Sequence, residues 1–238
     1  MEIVIDALLT GVVRPLGDSG RGSGIDKHPV AAPLWLGAHG LRGDEQADRR
    51  FHGGPEKALH HYAREHYAAW LRDLGERAVL RAPGAFGENL STTGMTEHDV
   101  CVGDTYAVGQ ALIQVSQARQ PCWKLNHRFD QAGMSARVQA SGRTGWYYRV
   151  LREGWLAPGD TLSLRDRPYP QWTLARVQDI LNRRVLDVPT LTELAALPAL
   201  SPNWRALFEK RARLGQVEDW QRRLQGDAAD PSTGTSTT

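Results

Sequence analysis

Residues 100–117 have the sequence VCVGDTYAVGQALIQVSQ, and this stretch decides the fold class. Apolar and polar side chains alternate in short runs between glycine turns, which predicts half-buried strands at 100–102, 106–108 and 112–116. The turn Gly103-Asp104-Thr105 recurs as Gly159-Asp160-Thr161, and an alternating apolar run follows each copy. Similar turns that begin similar strands indicate a β-barrel.

More strands are predicted on both sides, at 3–13, 30–36, 146–151 and 161–164. Pro55 follows a His-Gly-Gly turn, and apolar residues then recur every three to four positions from Leu59 to Leu74, before Gly75. This spacing predicts one inserted helix that starts at Pro55 and ends at Gly75. The expected fold is mainly β with α, a mixed β-barrel with an inserted helix.

The composition changes at Pro168-Tyr169-Pro170, after which the pattern is helical. Helices are predicted at 174–184, 191–197, 203–214 and 216–224, with Thr190 and Ser201 as candidate N-caps. We therefore predict a barrel domain at 1–170, a small helical C-terminal domain at 171–226 and a disordered polar tail at 227–238.

Composition argues against several classes of protein. The 238 residues carry a formal net charge of +2, which is too small to indicate nucleic-acid binding. The start of the chain is acidic where a signal peptide is basic, and no apolar run reaches the roughly 18 residues of a membrane helix. We predict a cytoplasmic protein without stable nucleic-acid or membrane binding. With only two cysteines, any redox chemistry needs a bound cofactor or a partner.

Cys122 is the most informative residue. It follows an alternating strand and Pro121, so we expect it at the mouth of the barrel rather than within the sheet. Arg119 and Lys124 flank it, and nearby cations favour the thiolate, which binds metals and attacks electrophiles. An inert core cysteine is the alternative, and the apolar neighbours of Cys101 favour that role there.

Two further segments are suited to anions. Gly53 and Gly54 leave backbone amides exposed at the predicted helix start, directly after His52. Ser23 and Lys27 supply a hydroxyl and an ammonium group after a glycine-rich loop, although the Gly-Lys-Ser/Thr ending of a P-loop is missing. A simple turn and a solvated surface loop are the respective alternatives.

Other catalytic motifs are missing from the sequence. His60, His61, Glu65 and His66 lie on the predicted inserted helix but do not form the His-Glu-x-x-His motif of zinc proteases. No serine lies in a Gly-x-Ser-x-Gly motif, so an esterase has no support either. We therefore expect structural or solvent roles for these histidines.

In combination, these segments resemble the YiiM type of MOSC (molybdenum cofactor sulfurase C-terminal) domain proteins. The resemblance covers nearly the whole chain, including a C-terminal segment that looks like the three-helix extension of that type. The matching runs are SGIDK at 23–27, GLRGDEQAD at 40–48, HGGPEK at 52–57 with His66-Tyr67, GENL at 87–90, and ALIQVSQ at 111–117 leading into Pro121-Cys122.

The resemblance implies a MOSC β-barrel, a small three-helix domain and a molybdenum cofactor bound in a pocket around Cys122. It also implies a molybdenum-dependent oxidoreductase that reduces N-hydroxylated bases and related N-oxygenated compounds. Detoxification of 6-hydroxylaminopurine is the activity associated with the YiiM type. A separate electron-donating reductase, expected to be a flavoprotein, would supply electrons because the chain has no flavin or iron–sulfur motif.

Residue roles follow from the resemblance. Cys122 would bind molybdenum, and His52 would donate the proton that turns the departing oxygen into water. The remaining candidates would hold the cofactor or substrate through charge, hydroxyl, amide or backbone groups: Ser23, Lys27, Gly53, Gly54, Asn89, Arg119 and Lys124.

Two alternatives stay open. In the first, the pocket binds an anionic small molecule without molybdenum, and Cys122 acts as a persulfide carrier or nucleophile. In the second, the helical region is an interaction module for an acidic partner. Its basic residues are Arg205, Lys210, Arg211, Arg213, Arg222 and Arg223.

Overall fold

The computed structural model describes residues 2–17, 20–48 and 53–226. The strands are β1 (Glu2–Thr10), β2 (Arg14–Pro15), β3 (Gly22–Ser23), β4 (His28–Pro29), β5 (Leu34–Gly37), β6 (Gly40–Leu41), β7 (Leu59–Ala63), β8 (Leu90–Thr92), β9 (Thr105–Val108), β10 (Ala111–Ala118), β11 (Trp146–Arg152), β12 (Gly154–Leu156) and β13 (Thr161–Asp166). The α-helices are α1 (Glu65–Leu74), α2 (Lys124–Arg128), α3 (Met134–Ser141), α4 (Leu174–Asn182), α5 (Val188–Ala196), α6 (Pro202–Leu214) and α7 (Gln221–Gln225). Single 3₁₀ turns lie at Pro55–Lys57 and Ala78–Leu80.

Seven strands form a closed barrel in the order β13-β9-β10-β11-β7-β8-β1, and pairing of β13 with β1 completes the ring. The β7–β8 pair is parallel, whereas the other neighbours in the ring are antiparallel. A small sheet of β12, β5 and β6 and a β2–β3 ladder lie outside the ring. The predicted mixed β-barrel is therefore confirmed.

The repeated Gly-Asp-Thr turn has the same hydrogen bonding in both copies. Asp104 Oδ2 accepts the Cys101 N–H at 2.9 Å, and Asp160 Oδ2 accepts the Ala157 N–H at 2.8 Å. The glycines before these aspartates have positive φ angles of 81° and 85°, which an L side chain rarely adopts. Each turn thus leads directly into a barrel strand, β9 or β13, that starts at the following threonine.

The inserted helix is shorter than predicted. Pro55–Lys57 is a 3₁₀ turn, Leu59–Ala63 is barrel strand β7, and the α-helix begins only at Glu65. All five residues of β7 are buried, so the strand lacks the apolar–polar alternation of a half-exposed strand. His60 and His61 therefore lie on a strand and not on the helix. The predicted end is confirmed, because Gly75 caps the helix with a φ of 72°.

The C-terminal region is helical, as predicted, and it shares the barrel's hydrophobic core. Trp172, Leu174 and Phe208 belong to the same buried cluster as Ile113 and Trp146 of the barrel. Among the described residues, no helix is long and apolar enough to cross a membrane. The division into domains at residue 170 stays a prediction, and the predicted tail at 227–238 lies outside the described residues.

Details of the helical region differ from the prediction. Ser201 caps α6 as expected, but Asp187 and not Thr190 caps α5. The segment 216–224 forms only the short helix α7. Arg211, one of the basic residues considered for an acidic partner, is 1% exposed and pairs with Glu218 at 2.8 Å. Its guanidinium therefore stabilises the fold instead of facing an acidic partner.

Candidate functional site

A pocket on the barrel wall gathers most of the predicted site residues. It encloses about 560 Å³ of empty space, counting the part that opens to solvent. Its polar lining comes from the loops before β4 and β7, the turn before β8, the segment after β10, and strands β3, β7 and β11. These residues include Ser23, Lys27, Asp44, Glu45, Gln46, Lys57, His60, Asn89, Arg119, Cys122, Lys124 and Tyr147.

Strands β7, β10 and β11 form one wall of the pocket. Tyr147 pairs with Gln117 on one side and His60 on the other, so these three side chains share a face of the sheet. The ring centroids of His60 and Tyr147 lie 5.1 Å apart. Their neighbours along the strands, Trp146 and His61, point the other way and contact each other inside the barrel. The pocket thus lies against the outer face of the barrel.

Cys122 lies between the end of β10 and the start of α2, as expected for a residue at a strand mouth. The residue is only 7% exposed. Arg119 and Lys124, 6% and 8% exposed, line the same pocket. Arg119 Nη1 is buried without a hydrogen-bond partner among the described residues. A buried guanidinium nitrogen without a partner is costly, and an anion in the pocket would satisfy it.

Lys27 has a partner within the protein. Its ammonium group pairs with Asp44, whose side chain is 1% exposed. Asp44 also accepts hydrogen bonds from the Asn89 and Gln46 amides, both at 3.0 Å, and from the Gly11 N–H at 2.9 Å. Burial lowers the pKa of Lys27, while Asp44 opposes this shift. Lys27 therefore holds the loop over the pocket, and Asp44 offsets most of its charge.

Asn89 also has a structural role at the pocket floor. Its carbonyl oxygen accepts the His60 backbone N–H at 3.1 Å, and its amide donates to the Leu9 carbonyl at 3.1 Å. These contacts tie β7 to β1 and to the loop that carries Asp44. The Ser23 hydroxyl accepts the Ile25 N–H at 3.3 Å and thereby shapes the loop beside Lys27.

The structure brings together six of the predicted site residues and separates two. Ser23, Lys27, Asn89, Arg119, Cys122 and Lys124 line the one pocket. Gly53 and Gly54 are not among its described lining residues. The helix expected after them is a single 3₁₀ turn, so the helix dipole that motivated an anion site there is missing. His52 lies outside the described residues, and its role stays a prediction.

Sequence reasoning missed Lys57, His60 and Tyr147. Burial and the charge of Arg119 lower the pKa of His60 well below its usual value, so its imidazole is neutral. Burial raises the pKa of Tyr147. Burial also lowers the pKa of Lys57, against the opposing effect of Cys122 and Asp48. Lys57 belongs to the HGGPEK run, whereas His60 lies on strand β7 and not on the predicted helix.

The pocket combines a thiol with several cations. Lys57, Arg119 and Lys124 line it together with Cys122, and Arg223 is close enough for its pKa to respond to Cys122. The Asp44 carboxylate offsets the positive charge of Lys27 through their ion pair. Such a site is suited to an anionic ligand that also offers a soft metal centre to sulfur.

Comparison with known proteins identifies the family. Residues 48–163 match the MOSC domain, and residues 172–213 match the YiiM-like 3-alpha helix domain. Protein YiiM of Escherichia coli strain K12 is 42% identical over 207 residues, covering 87% of this chain and 92% of that protein. This chain belongs to the YiiM family of MOSC-domain proteins.

A solved YiiM structure agrees with this assignment, and a fungal protein is also similar to this chain. The crystal structure of YiiM from Escherichia coli superimposes with a TM-score of 0.80 at 36% identity, covering 95% of this chain and all of that chain. A Gibberella moniliformis protein named "Reductase" is 41% identical over 177 residues, which cover 74% of this chain but 31% of that protein. The fold of this chain is thus the YiiM fold, and that fungal relative is much longer.

The pocket residues fit the molybdenum cofactor with which MOSC domains are associated. The cofactor carries a phosphate and a metal that binds thiolate, and the pocket offers the buried Arg119 nitrogen without a partner and the Cys122 thiol. Lys124 would add a buried positive charge beside them. Cys122 would be the metal ligand, with Arg119 and Lys124 at the anionic groups.

Proposed function

We propose that this chain is a molybdenum-cofactor-dependent oxidoreductase that reduces N-hydroxylated bases and related N-oxygenated compounds in the cytoplasm. The balanced reaction converts R–NHOH, two electrons and two protons into R–NH₂ and water. 6-Hydroxylaminopurine is the substrate we propose first, because the YiiM type is associated with its detoxification. When bound, the cofactor would supply the two-electron chemistry at nitrogen-bound oxygen.

The observation that carries this proposal is the buried thiol of Cys122 beside an unsatisfied buried guanidinium. Cys122 and Arg119 line the same pocket, and each is less than 10% exposed. Several arginines have a buried guanidinium nitrogen without a hydrogen-bond partner among the described residues, and of these only Arg119 lines the pocket. Buried cations next to a soft ligand support an anionic metal cofactor over a simple anion.

The wall of the pocket is suited to a planar base. Tyr147 and His60 present a ring pair with centroids 5.1 Å apart, and Lys57 Nζ lies 5.9 Å from the Tyr147 ring. Because His60 is neutral, its ring adds an aromatic face for the base without attracting a second anion. These groups would orient the substrate while the loop held by Lys27 and Asp44 limits the access of water.

Electrons would come from a separate protein, which we propose to be a flavoprotein reductase. The chain contains two cysteines, Cys101 and Cys122, and Cys101 is a buried core residue. The fungal protein named "Reductase" has more than twice the aligned length. That name supports a redox role for a unit similar to this chain.

Turnover of 6-hydroxylaminopurine by purified protein tests the function. The protein would be expressed in a host that makes the cofactor, and a reduced viologen dye would replace the natural electron donor. We expect adenine to form with the wild type and with Cys101→Ala, and turnover to be lost in Cys122→Ser because oxygen is a poor substitute for a soft sulfur ligand. Undiminished turnover in Cys122→Ser would refute the proposed ligand.

A further inference from the structure

The last described residues of the chain contact the segment that carries Cys122. We call residues 221–226, which comprise helix α7 and Gly226, the C-terminal strap. The Trp123 N–H donates to the Arg223 carbonyl at 2.8 Å. Gly226 packs on the Trp123 ring so closely that an added Cβ would lie 3.3 Å from it. The strap thus covers the residue directly after Cys122.

Arg223 connects the strap to both sides of the cysteine segment. Its Nη1 donates to the carbonyl of Pro121, the residue before Cys122, and its Nη2 donates to Gln139 Oε1 of α3 at 2.6 Å. A guanidinium can satisfy two acceptors with a fixed geometry, which a lysine ammonium cannot reproduce. Together with the Trp123 contact, these bonds fix the backbone on either side of Cys122.

Two other side chains hold the strap in place. The Leu224 carbonyl accepts hydrogen bonds from Asn126 Nδ2 at 3.0 Å and from Ser135 Oγ at 2.7 Å. The side-chain Oδ1 of Asn126 in turn accepts the Ser135 backbone N–H at 2.8 Å. Helices α2 and α3 therefore form a polar cradle for the strap. The strap lies beyond both matched family regions, which end at residues 163 and 213.

We propose that Arg223 is a positioning residue for Cys122 and that the C-terminal strap holds the cysteine segment in place at the pocket. The helical region then acts directly at the site, because its last described helix contacts the segment that follows β10. The relevance to catalysis depends on the proposed function, whereas the control of the cysteine segment does not.

Alkylation of the cofactor-free full-length protein by iodoacetamide tests this proposal. Mass spectrometry of the two cysteine peptides separates local from global opening, because the strap holds the residues on either side of Cys122 whereas Cys101, 1% exposed, lies in the core. With rates measured at a pH high enough for the thiol to be ionised in every variant, we expect Arg223→Gln to raise the alkylation rate of Cys122 by about tenfold, the effect of losing a charge-assisted hydrogen bond on an opening equilibrium. The rate at Cys101 should stay unchanged.

Matched variants complete the design. Arg223→Lys should recover only part of the protection, since it loses the second acceptor, and Ser135→Ala should give a smaller increase than Arg223→Gln. Arg213→Gln, an exposed arginine on α6, is the control and should behave as the wild type. An unchanged Cys122 rate in Arg223→Gln, or an equal increase at both cysteines, would overturn the proposal. If Arg223→Gln raises the Cys122 rate in a protein that proves unable to bind molybdenum, the strap proposal stands and only the proposed function is refuted.

Discussion

A buried histidine inside the barrel makes the stability of this protein sensitive to mild acid. His61 is fully buried and lies 2.9 Å from the Tyr148 hydroxyl and 2.8 Å from Thr92 Oγ1. Burial lowers its pKa to about 3, whereas in the unfolded chain it titrates near 6.5. Between these two values the unfolded chain binds a proton that the folded chain does not. The contribution of neutral His61 to the free energy of unfolding is therefore complete above about pH 6.5 and is lost as the pH falls towards 3.

The magnitude follows from the two pKa values. At pH 5, protonation of His61 in the unfolded chain alone reduces the free energy of unfolding by about 2 kcal/mol relative to pH 8. Urea unfolding followed by circular dichroism at both pH values measures this loss. His61→Gln removes the titrating group, so its stability should fall by about 2 kcal/mol less than that of the wild type over the same interval.

The comparison between wild type and variant cancels the other groups that titrate in this range, including His60, whose pKa is also lowered by burial. His98→Gln, at an exposed position, is the control and should keep the wild-type pH dependence. Equal losses in the wild type and in His61→Gln would show that His61 does not stay neutral in the fold, and the argument from burial would be wrong.

Three other substitutions test the packing and charges around the site. Lys27→Met leaves the Asp44 carboxylate buried without its cation and should lower stability by about 3 kcal/mol in urea unfolding, with partial recovery when Asp44→Asn is added. Gly145→Ala places a Cβ 2.2 Å from the His61 carbonyl at a φ of 72° and should cost more than about 3 kcal/mol in thermal unfolding. Arg119→Met removes the guanidinium that lacks a full set of partners, so the cofactor-free protein should gain about 1 kcal/mol while cofactor retention falls. Wild-type stability in Lys27→Met or in Gly145→Ala would contradict the role given to the ion pair or to the close backbone approach. A lower stability of Arg119→Met would contradict the cost assigned to its buried guanidinium.

Local turn chemistry made much of the barrel predictable from sequence. The two Gly-Asp-Thr turns form the same short-range hydrogen bond, so their similarity in sequence corresponds to similarity in structure. Alternation also identified the core of β10, where Ile113 and Val115 are buried and Gln114 is not. The helix predicted across β7 is wrong because all side chains of that strand are buried, and periodicity cannot distinguish such a strand from a helix.

The site was predictable only in part, for physical reasons. Cys122 and its cationic neighbours are close in sequence, so their proximity needs no tertiary information. The Asp44 partner of Lys27 comes from a different loop, and the Arg223 contact to Pro121 spans 102 positions. Contacts at such separations depend on how the barrel and the helices pack, which residue spacing does not encode.

The central claim is that Cys122 binds molybdenum, and the metal content of the protein tests it most directly. Wild type, Cys122→Ser and Cys101→Ala would be expressed in a cofactor-competent host, purified under reducing conditions and analysed for molybdenum and pterin. We predict near-stoichiometric amounts of both in the wild type and in Cys101→Ala, and loss of molybdenum in Cys122→Ser. If no variant contains molybdenum although the host demonstrably supplies the cofactor, or if Cys122→Ser retains it, the claim is wrong.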